Sequence, residues 1–353
     1  VDKTAPSISA DVSPAANANN WHNADVTVTF TCGDGLSGLN SCTAPVTLIS
    51  EGTGQMATGE ATDNADNSAS VTVENINIDK TAPTISAVRT PANSYGWNNG
   101  PVEVDFDCSD GLSGIDSCGP DATVSGEGAG QSVLGTALDF AGNSATTTVG
   151  DINNDLTSPV NVAFSDGSIV DGGEYYFGFV PNGPTMCSAQ DALSGFDHCD
   201  VAGGGTVVGD HMYTATAYDK AGNSAIATIM YTVNPWTIFG FYQPVDMGAG
   251  VYNAVRGGST VPLKFEAYAG SMELTDTSIK NYLSAKRVSC VGGAVIDDIE
   301  EYISTGQTMF RYDETAEQFI DNWKVPNATK GTCYEVKLAT IDGSSIVALF
   351  KIK

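Results

Sequence analysis

The chain has 353 residues, of which 42 are acidic and 15 are basic, and its formal net charge is −27. A field of this sign repels nucleic acid and anionic lipid and attracts cations, so nucleic acid is excluded as a partner. Membrane insertion of this segment is excluded as well, because no apolar run approaches the roughly 18 residues of a spanning helix.

A linker motif occurs three times in the chain. The linker DKTAP begins at Asp2 and again at Asp79, and a weaker copy, DLTSP, begins at Asp155, so the period is 77 and then 76 residues. A repeat of this length is too long for a solenoid unit and has the size of a small domain with its own core. We therefore predict four domains, at residues 1–78, 79–154, 155–234 and 235–353.

The pattern between these marks predicts β-strands almost throughout. Val26, Val28 and Phe30 alternate with threonines, which is the period of a strand with one buried face. The same register returns at Val102 and Val104, with acidic residues on the water-facing side. Further strand candidates are Val46–Ile49, Ser70–Val73, Ser144–Val149 and Ala225–Val233. The best helical candidate, residues 297–303, is too short to change the prediction of an elongated all-β chain of tandem sandwiches.

The linkers are predicted to be stiff. In DKTAP the proline fixes its own backbone and biases the alanine before it towards an extended conformation. Val1 stands where Ile78 stands before the second linker, so we expect either a further repeat before Val1 or an extended tail that docks elsewhere. In the second case, the tail of one copy would add to the strand Ile346–Lys353 of another and the chain would self-associate end to end.

The chain has eight cysteines, and their spacing indicates whether the protein resides in an oxidising or a reducing compartment. Each repeat holds one pair, and the last domain holds another. Repeat symmetry singles out the disulfides Cys32–Cys42, Cys108–Cys118, Cys187–Cys199 and Cys290–Cys333. A tetrahedral metal site is the alternative, but neither a C-x2-C spacing nor a neighbouring histidine completes such a set of ligands. Disulfides persist outside a reducing cytosol, so we predict an extracellular or cell-surface protein.

These motifs carry two family resemblances. The first 234 residues resemble the bacterial immunoglobulin-like repeats of large secreted adhesins and surface proteins. The strings GFYQPVD from Gly240, GGSTVPLKFE from Gly257 and NWKVPNATKGTC from Asn322 resemble the PxKF domain, a β module at the C-terminus of multidomain extracellular proteins. The resemblance implies three immunoglobulin-like β-sandwiches and a PxKF-like β domain. It says little about function, because such modules accompany enzymes, adhesins and surface-layer proteins alike.

A recurring turn offers a candidate metal site. Asp63, Asp139 and Asp219 are each followed four residues later by an asparagine. One interpretation is an Asx-type turn, in which the carboxylate accepts backbone N–H bonds. The other is Ca²⁺, because in calcium-dependent adhesins with similar repeats carboxylates at domain junctions bind this ion, which takes about six to eight oxygen ligands. On that resemblance the Ca²⁺ ligands at the first two junctions are Asp63, Asp79, Asp139, Asp155, Asn67 and Asn143.

The first repeat and the third junction depart from the pattern that the calcium interpretation requires. Asp66 replaces the turn glycine of the first repeat, and the third junction, Asn234-Pro235, carries no acid. Asp34 and Asp110 lie in Asp-Gly turns inside the disulfide loops, and the functional alternative is a ligand-facing loop at the tip of each sandwich.

Catalysis finds little support in the sequence. His22, His198 and His211 occupy non-equivalent places in their repeats, and neither G-x-S-x-G nor H-E-x-x-H occurs. Trp21 and Trp97 are expected to pack in a core or rim rather than to stack on sugar rings. We predict that the chain is not an enzyme. Asn327 begins the only N-glycosylation sequon and is a candidate for modification.

The first hypothesis for function is a non-catalytic structural protein, a segment or subunit of a cell-surface rod, sheath, surface layer or fibre. Its expected partners are further copies of itself or other surface proteins. The second is an adhesin that binds carbohydrate or protein through its loops. The third is the spacer or accessory region of a larger secreted enzyme.

Overall fold

A computed structural model describes residues 1–291, the backbone of 301–302, and 310–353. The helical candidate at residues 297–303 therefore lies largely outside the described part. Two compact units are present. Unit 1 comprises Val1–Ser158, Asp191–Phe196 and Asp219–Asn223; unit 2 comprises Pro159–Gln190, Asp197–Tyr218 and Ser224–Lys353. Within the described residues, none of the helices has the length and apolar character needed to cross a membrane.

The first repeat is a sandwich of two three-stranded antiparallel sheets. Its strands are β1 (Ser7–Ser13), β2 (Val26–Gly33), β3 (Leu39–Cys42), β4 (Val46–Leu48), β5 (Gly52–Asp63) and β6 (Ser68–Ile78). The sheet orders are β1-β2-β4 and β3-β5-β6. In the immunoglobulin fold, strands A, B and E share one sheet and C, F and G the other, and these six strands follow that order.

The second repeat has the same architecture. Its strands are β7 (Thr84–Arg89), β8 (Val102–Ser109), β9 (Ile115–Cys118), β10 (Ala122–Val124), β11 (Gly128–Asp139) and β12 (Ser144–Asn154). They pair in the orders β10-β8-β7 and β12-β11-β9. Along β8, Val102 and Val104 are fully buried while Glu103 and Asp105 are exposed, as the alternating pattern predicts.

A phenylalanine and a glycine face each other between the two sheets of each of these repeats. A Cβ added to Gly59 would lie 2.3 Å from the ring of Phe30, and one added to Gly135 would lie 2.3 Å from the ring of Phe106. The aromatic side chain therefore fills the space that a side chain on the opposite sheet would need. These cores are small, and in the second repeat the fully buried apolar cluster consists of Val102, Val104 and Ile152.

The third repeat departs from this plan. Its strands are β13 (Val160–Phe164), β14 (Gly173–Tyr176), β15 (Cys187–Gln190), β16 (Phe196–Gly203), β17 (Gly209–Asp219) and β18 (Ser224–Asn234). They form the sheets β13-β15 and β14-β18-β17-β16. β14 pairs in parallel with β18, whereas the earlier repeats have only single parallel bridges at this edge, His22 to Ile78 and Asn98 to Asn154.

The C-terminal domain is a larger sandwich. Its strands are β19 (Thr237–Tyr242), β20 (Tyr252–Val255), β21 (Thr260–Ala269), β22 (Met272–Glu273), β23 (Lys280–Val288), β24 (Glu301–Tyr302), β25 (Arg311–Asp313), β26 (Gln318–Lys324), β27 (Cys333–Thr340) and β28 (Ser345–Ile352), with a 3-10 turn at Thr277–Ile279. One sheet runs β19-β21-β26-β25, with β22 beside β21, and the other runs β20-β28-β27-β23-β24. Between them the described residues form a cluster of 21 buried apolar side chains, including Phe265, Trp323 and Phe350.

Candidate metal centre

Nine aspartates meet in three groups of three in unit 1. Within each group, one carboxylate oxygen from every member lies within 4.8 Å of those of the other two. Each group has one aspartate from a linker, one from a disulfide loop and one from the turn between the last two long strands. We call them triad 1 (Asp2, Asp34, Asp63), triad 2 (Asp79, Asp110, Asp139) and triad 3 (Asp155, Asp191, Asp219).

The turn aspartates are buried and hold their own turns together. Asp139 is the last residue of β11 and is 1% exposed. Its Oδ1 accepts a bond from the backbone N–H of Asn143 at 2.8 Å, and its Oδ2 accepts one from the Asn143 Nδ2 at 2.9 Å. Asp63 with Asn67, and Asp219 with Asn223, repeat both bonds. These are the bonds of an Asx-type turn.

The loop aspartates leave one oxygen available. Asp110 Oδ2 accepts bonds from the backbone N–H groups of Leu112 at 2.9 Å and Gly114 at 2.8 Å. The bonds to Asp34 likewise converge on its Oδ2, and those to Asp191 converge on its Oδ1. This half-used carboxylate recurs in all three triads, so each loop can direct its second oxygen at a shared ligand.

The linker aspartates connect each linker to the disulfide loop that follows it. Asp79 Oδ1 accepts from the N–H of Thr81 at 3.1 Å, and its Oδ2 accepts from the N–H of Ser113 at 2.9 Å. Asp155 makes the same pair of bonds with Thr157 and Ser194. Asp2 bonds with Thr4 and Ser37 in the same way, so it folds onto its own repeat.

The triads concentrate negative charge without a basic partner. Among the residues that the structure describes, the ion pairs with Lys, Arg or His involve none of these nine carboxylates. Backbone N–H groups compensate only part of the charge. Burial raises the pKa of Asp63, but the Asn67 side chain and nearby N–H groups outweigh it, so the pKa is below its ordinary value. The pKa of Asp110 is lowered in the same balance of burial against N–H bonds from Leu112 and Gly114. The carboxylates of Asp63 and Asp110 therefore stay ionised at neutral pH.

The donor set fits a hard cation. Ca²⁺ is bound by several oxygens from carboxylates and backbone carbonyls, and three carboxyl groups within reach of one another supply the acidic part of such a set. Zn²⁺ would favour nitrogen or sulfur ligands, and the triads offer neither.

Each triad brings together a linker aspartate, a disulfide-loop aspartate and a turn aspartate, which the sequence analysis treated separately. Asp79 lies with Asp139 and Asp155 lies with Asp219, whereas Asp63 lies with Asp2. The sequence did not predict the disulfide-loop aspartates Asp34, Asp110 and Asp191 as ligands. Asp34 and Asp110 lie in Asp-Gly turns, which already explain their bonds. Their recurrence two, two and four residues after a cysteine was the signal that pointed to them.

The predicted ligands Asn67 and Asn143 donate hydrogen bonds within the triads. Each donates its Nδ2 to the carboxylate of its turn aspartate, and Asn143 also donates to the backbone carbonyl of Asp79 at 3.0 Å. Their amides therefore orient the carboxylates and the linker.

The other predicted positions are placed as follows. The structure contains the disulfides Cys32–Cys42, Cys108–Cys118, Cys187–Cys199 and Cys290–Cys333, the same pairs that the repeat symmetry singles out. Asn327 of the sequon is exposed, in the segment between β26 and β27. Trp21 and Trp97 are half-buried, whereas Trp236 and Trp323 belong to the C-terminal core.

Comparisons with known proteins give distant structural likenesses. A scan against protein-family models and a search of curated proteins found no match. Among solved structures, a Ca²⁺-stabilised adhesin that helps an Antarctic bacterium reach out and bind ice is 13% identical, with a TM-score of 0.29, and the match covers 99% of each chain. A tetra-tandem repeat from the extending region of a large adhesion protein is 12% identical, with a TM-score of 0.28, over 99% of this chain and 100% of that one. Extracellular cadherin domains 3–6 of protocadherin gamma B2 are 11% identical, with a TM-score of 0.23, over 98% and 99%.

Proposed function

We propose that the chain is a non-catalytic structural segment of an extracellular surface protein, in which Ca²⁺ held by the triads stiffens the junctions between repeats. The observation that carries this proposal is that each triad includes the aspartate of a linker. A cation bound there ties the linker to the repeat that follows it. We propose further that this segment belongs to a rod, a sheath, a surface layer or a fibre.

Contacts around the first junction support a stiff linker. Lys80 donates its backbone N–H to Glu51 Oε1 at 2.7 Å and its Nζ to Asp25 Oδ1 at 2.8 Å, which fixes the linker to the first repeat. From the second repeat, Asn143 donates to the carbonyls of Asp79 and Thr81. The linker is therefore bonded on both sides.

A loop of the first repeat crosses the same junction. Asn17 Nδ2 donates to the carbonyl of Phe140, in the turn that carries Asp139, at 2.8 Å. Asn93, the matching residue of the second repeat, donates to the carbonyl of Lys220, in the turn that carries Asp219, at 2.8 Å. Both contacts lie within unit 1. A cation bound in triad 2 or triad 3 would keep the turn in the conformation whose carbonyl accepts the hydrogen bond from this asparagine.

The residues that would hold the ion are the nine triad aspartates, with Asn67 and Asn143 as positioning residues. When bound, Ca²⁺ supplies the positive charge that the carboxylates lack and a cross-link of about six to eight oxygens. The first two junctions have triads 2 and 3, and the described residues around Asn234-Pro235 contribute no triad. We therefore propose calcium at both of those junctions and in triad 1.

The disulfides support an extracellular location. All eight cysteines are paired, and one pair lies in each repeat. Such bonds persist in oxidising compartments. We propose that residues 235–353 form a PxKF-like domain, that Asn327 is accessible for glycosylation, and that partners are further copies or other surface proteins.

An adhesin that binds carbohydrate is the second candidate, and one feature of the third repeat favours it. A cleft of about 810 Å³ is lined by Asp166, Asn182, Thr185 and Tyr213, with three glycines beside them. Amide, hydroxyl and carboxylate groups around one aromatic ring are the groups that sugars use. Loss of glycan-array binding in Tyr213→Ala would support this candidate.

Titration calorimetry with Ca²⁺ tests the main proposal. We expect saturable binding in the full chain, with a calcium-dependent rise in the melting temperature. Asp139→Asn should remove Ca²⁺ binding at triad 2 and so lower the number of ions bound per chain. Asp105 is an exposed aspartate on β8, and Asp105→Asn should leave binding unchanged. If chelator and millimolar calcium give the same melting curve and no heat of binding, calcium stiffening is wrong.

A further inference from the structure

A lysine and an aspartate from opposite sheets meet inside the C-terminal sandwich. Lys280 is the first residue of β23, and Asp321 lies in the middle of β26, which belongs to the other sheet. The Lys280 Nζ and the Asp321 Oδ2 are in contact as an ion pair. The pair therefore spans the two layers of the domain.

The surroundings of this pair are apolar. The side chain of Asp321 is 0% exposed and that of Lys280 is 16% exposed. On β26, Asp321 stands between the fully buried Phe319 and Trp323, and Leu263 lies opposite it on β21. The ring of Phe310 lies 5.3 Å from the Lys280 Nζ. Two charges in such an interior lose their hydration, a cost that an ion pair recovers only with good geometry and further hydrogen bonds.

Those further hydrogen bonds are missing here. Apart from the Lys280 amine, no described residue donates a hydrogen bond to either carboxylate oxygen of Asp321. Buried carboxylates normally accept several, as the triad aspartates in this chain do. The amine is thus held against a carboxyl group that nothing else engages.

We propose that Lys280 and Asp321 join covalently as an intramolecular amide. In the first step, a proton passes from the Lys280 Nζ to the carboxylate oxygen that it contacts. The lone pair of Nζ attacks Cγ of Asp321, and the C–O bond to the protonated oxygen then breaks. One hydroxyl leaves with one amine proton as a water molecule, and an N–C bond forms. The reaction needs no oxidant, reductant or added reagent.

Holding both groups in contact replaces a bimolecular encounter with an intramolecular step, which strongly accelerates reactions between well-oriented partners. The product is a neutral secondary amide that removes both buried charges. It also links β23 to β26 across the sandwich, in a domain whose only other covalent cross-link is Cys290–Cys333 in the described residues.

The chain offers an internal control. Lys80 and Asp25 form an ion pair at 2.8 Å with the same chemical groups, but their side chains are 33% and 51% exposed. Water hydrates both groups there, and the pair is not enclosed in an apolar interior. We expect no amide at this site.

Intact-mass spectrometry of the full, denatured chain tests the proposal. The expected mass is that of the sequence with four disulfides, less one water molecule, and the deficit survives reduction. Peptide sequencing should recover a branched peptide joining Lys280 to Asp321 and a linear peptide for Lys80. Lys280→Arg, which keeps the charge, should restore the full mass.

A wild-type chain of full mass, with Lys280 and Asp321 recovered in separate unmodified peptides, overturns the proposal. This measurement uses only the wild-type protein, so it decides the question even where the variants do not fold. A mass deficit that maps to other residues overturns it equally.

Discussion

The first two repeats and the C-terminal sandwich are both two-sheet β structures, yet they are held together differently. The core cluster of the second repeat has three buried apolar residues, whereas that of the C-terminal domain has 21 among the residues that the structure describes. Hydrophobic burial is the main favourable term in folding. The repeats therefore depend more on disulfides, on carboxylates that bond to turns and on close Phe–Gly packing. A chain of small modules can be stable in this way without large cores.

The largest expected effect is on the C-terminal core. Trp323 is fully buried and its ring lies 4.6 Å from that of Phe350. Trp323→Ala should lower the free energy of unfolding of this domain by about 3–5 kcal/mol, because it removes apolar contacts and leaves a cavity. Calorimetry should show the C-terminal transition shifted and the others in place. Trp97→Ala, at a half-buried position, is the control and should have a clearly smaller effect.

Removal of one disulfide should destabilise the second repeat more than the C-terminal domain. In the chain-entropy model, the Cys108–Cys118 loop stabilises its domain by about 3 kcal/mol, and the longer Cys290–Cys333 loop by about 4 kcal/mol. The shorter bond should nevertheless matter more, because the second repeat has the smaller core. We expect Cys108→Ser with Cys118→Ser to abolish the transition of that repeat in a thermal scan. Cys290→Ser with Cys333→Ser should leave a lowered but visible C-terminal transition. Equal losses would contradict the comparison.

The Phe–Gly packing gives a third test. Gly135→Ala should destabilise the second repeat by about 1–3 kcal/mol, because its Cβ would lie 2.3 Å from the ring of Phe106. Gly126→Ala is the control, since no atom lies within 4 Å of the added Cβ. Adding Phe106→Leu to Gly135→Ala should recover part of the loss in chemical denaturation. An unchanged midpoint for Gly135→Ala would show that this contact relaxes freely.

The smallest expected effect is on how steeply the melting temperature of the third repeat falls with acidification. The Thr185 hydroxyl and the N–H groups of Met186 and Thr185 lower the pKa of Asp166. A carboxyl whose pKa is lower in the folded state stabilises that state above the ordinary value of about 3.9, and this contribution is lost as the pH falls. The melting temperature of the third repeat should fall with acidification less steeply in Asp166→Asn than in wild type. A matching slope in both chains would show that these bonds add nothing.

The strand pattern of the repeats was predictable because one face of each strand is buried. The alternation of Val26, Val28 and Phe30 with threonines is enough to fix which side faces inward. The strand β14 was not predicted. The earlier repeats have only a single parallel bridge at this edge, and in the third repeat the bridge is extended into a parallel pairing with β18.

The candidate site was predictable only in part. Local sequence identifies Asp79 and Asp139 as polar residues in a linker and a turn, but it does not say that Asp139, 60 residues later in the chain, is the one that meets Asp79. That meeting depends on how the sandwich folds back to place its last turn beside its own linker. The third member, Asp110, was hidden because its turn already explained its bonds.

The membership of Asp79 in triad 2 also defines where one module ends and the next begins. The stretch 79–154 contains Asp79, Asp110 and Asp139 together, so a gene duplication or deletion of that stretch copies or removes a whole site. A break a few residues later, after Pro83, would leave one carboxylate behind in the neighbouring module. Unequal exchange between repeats can therefore lengthen or shorten the array one complete site at a time, provided that it occurs before the linker aspartate.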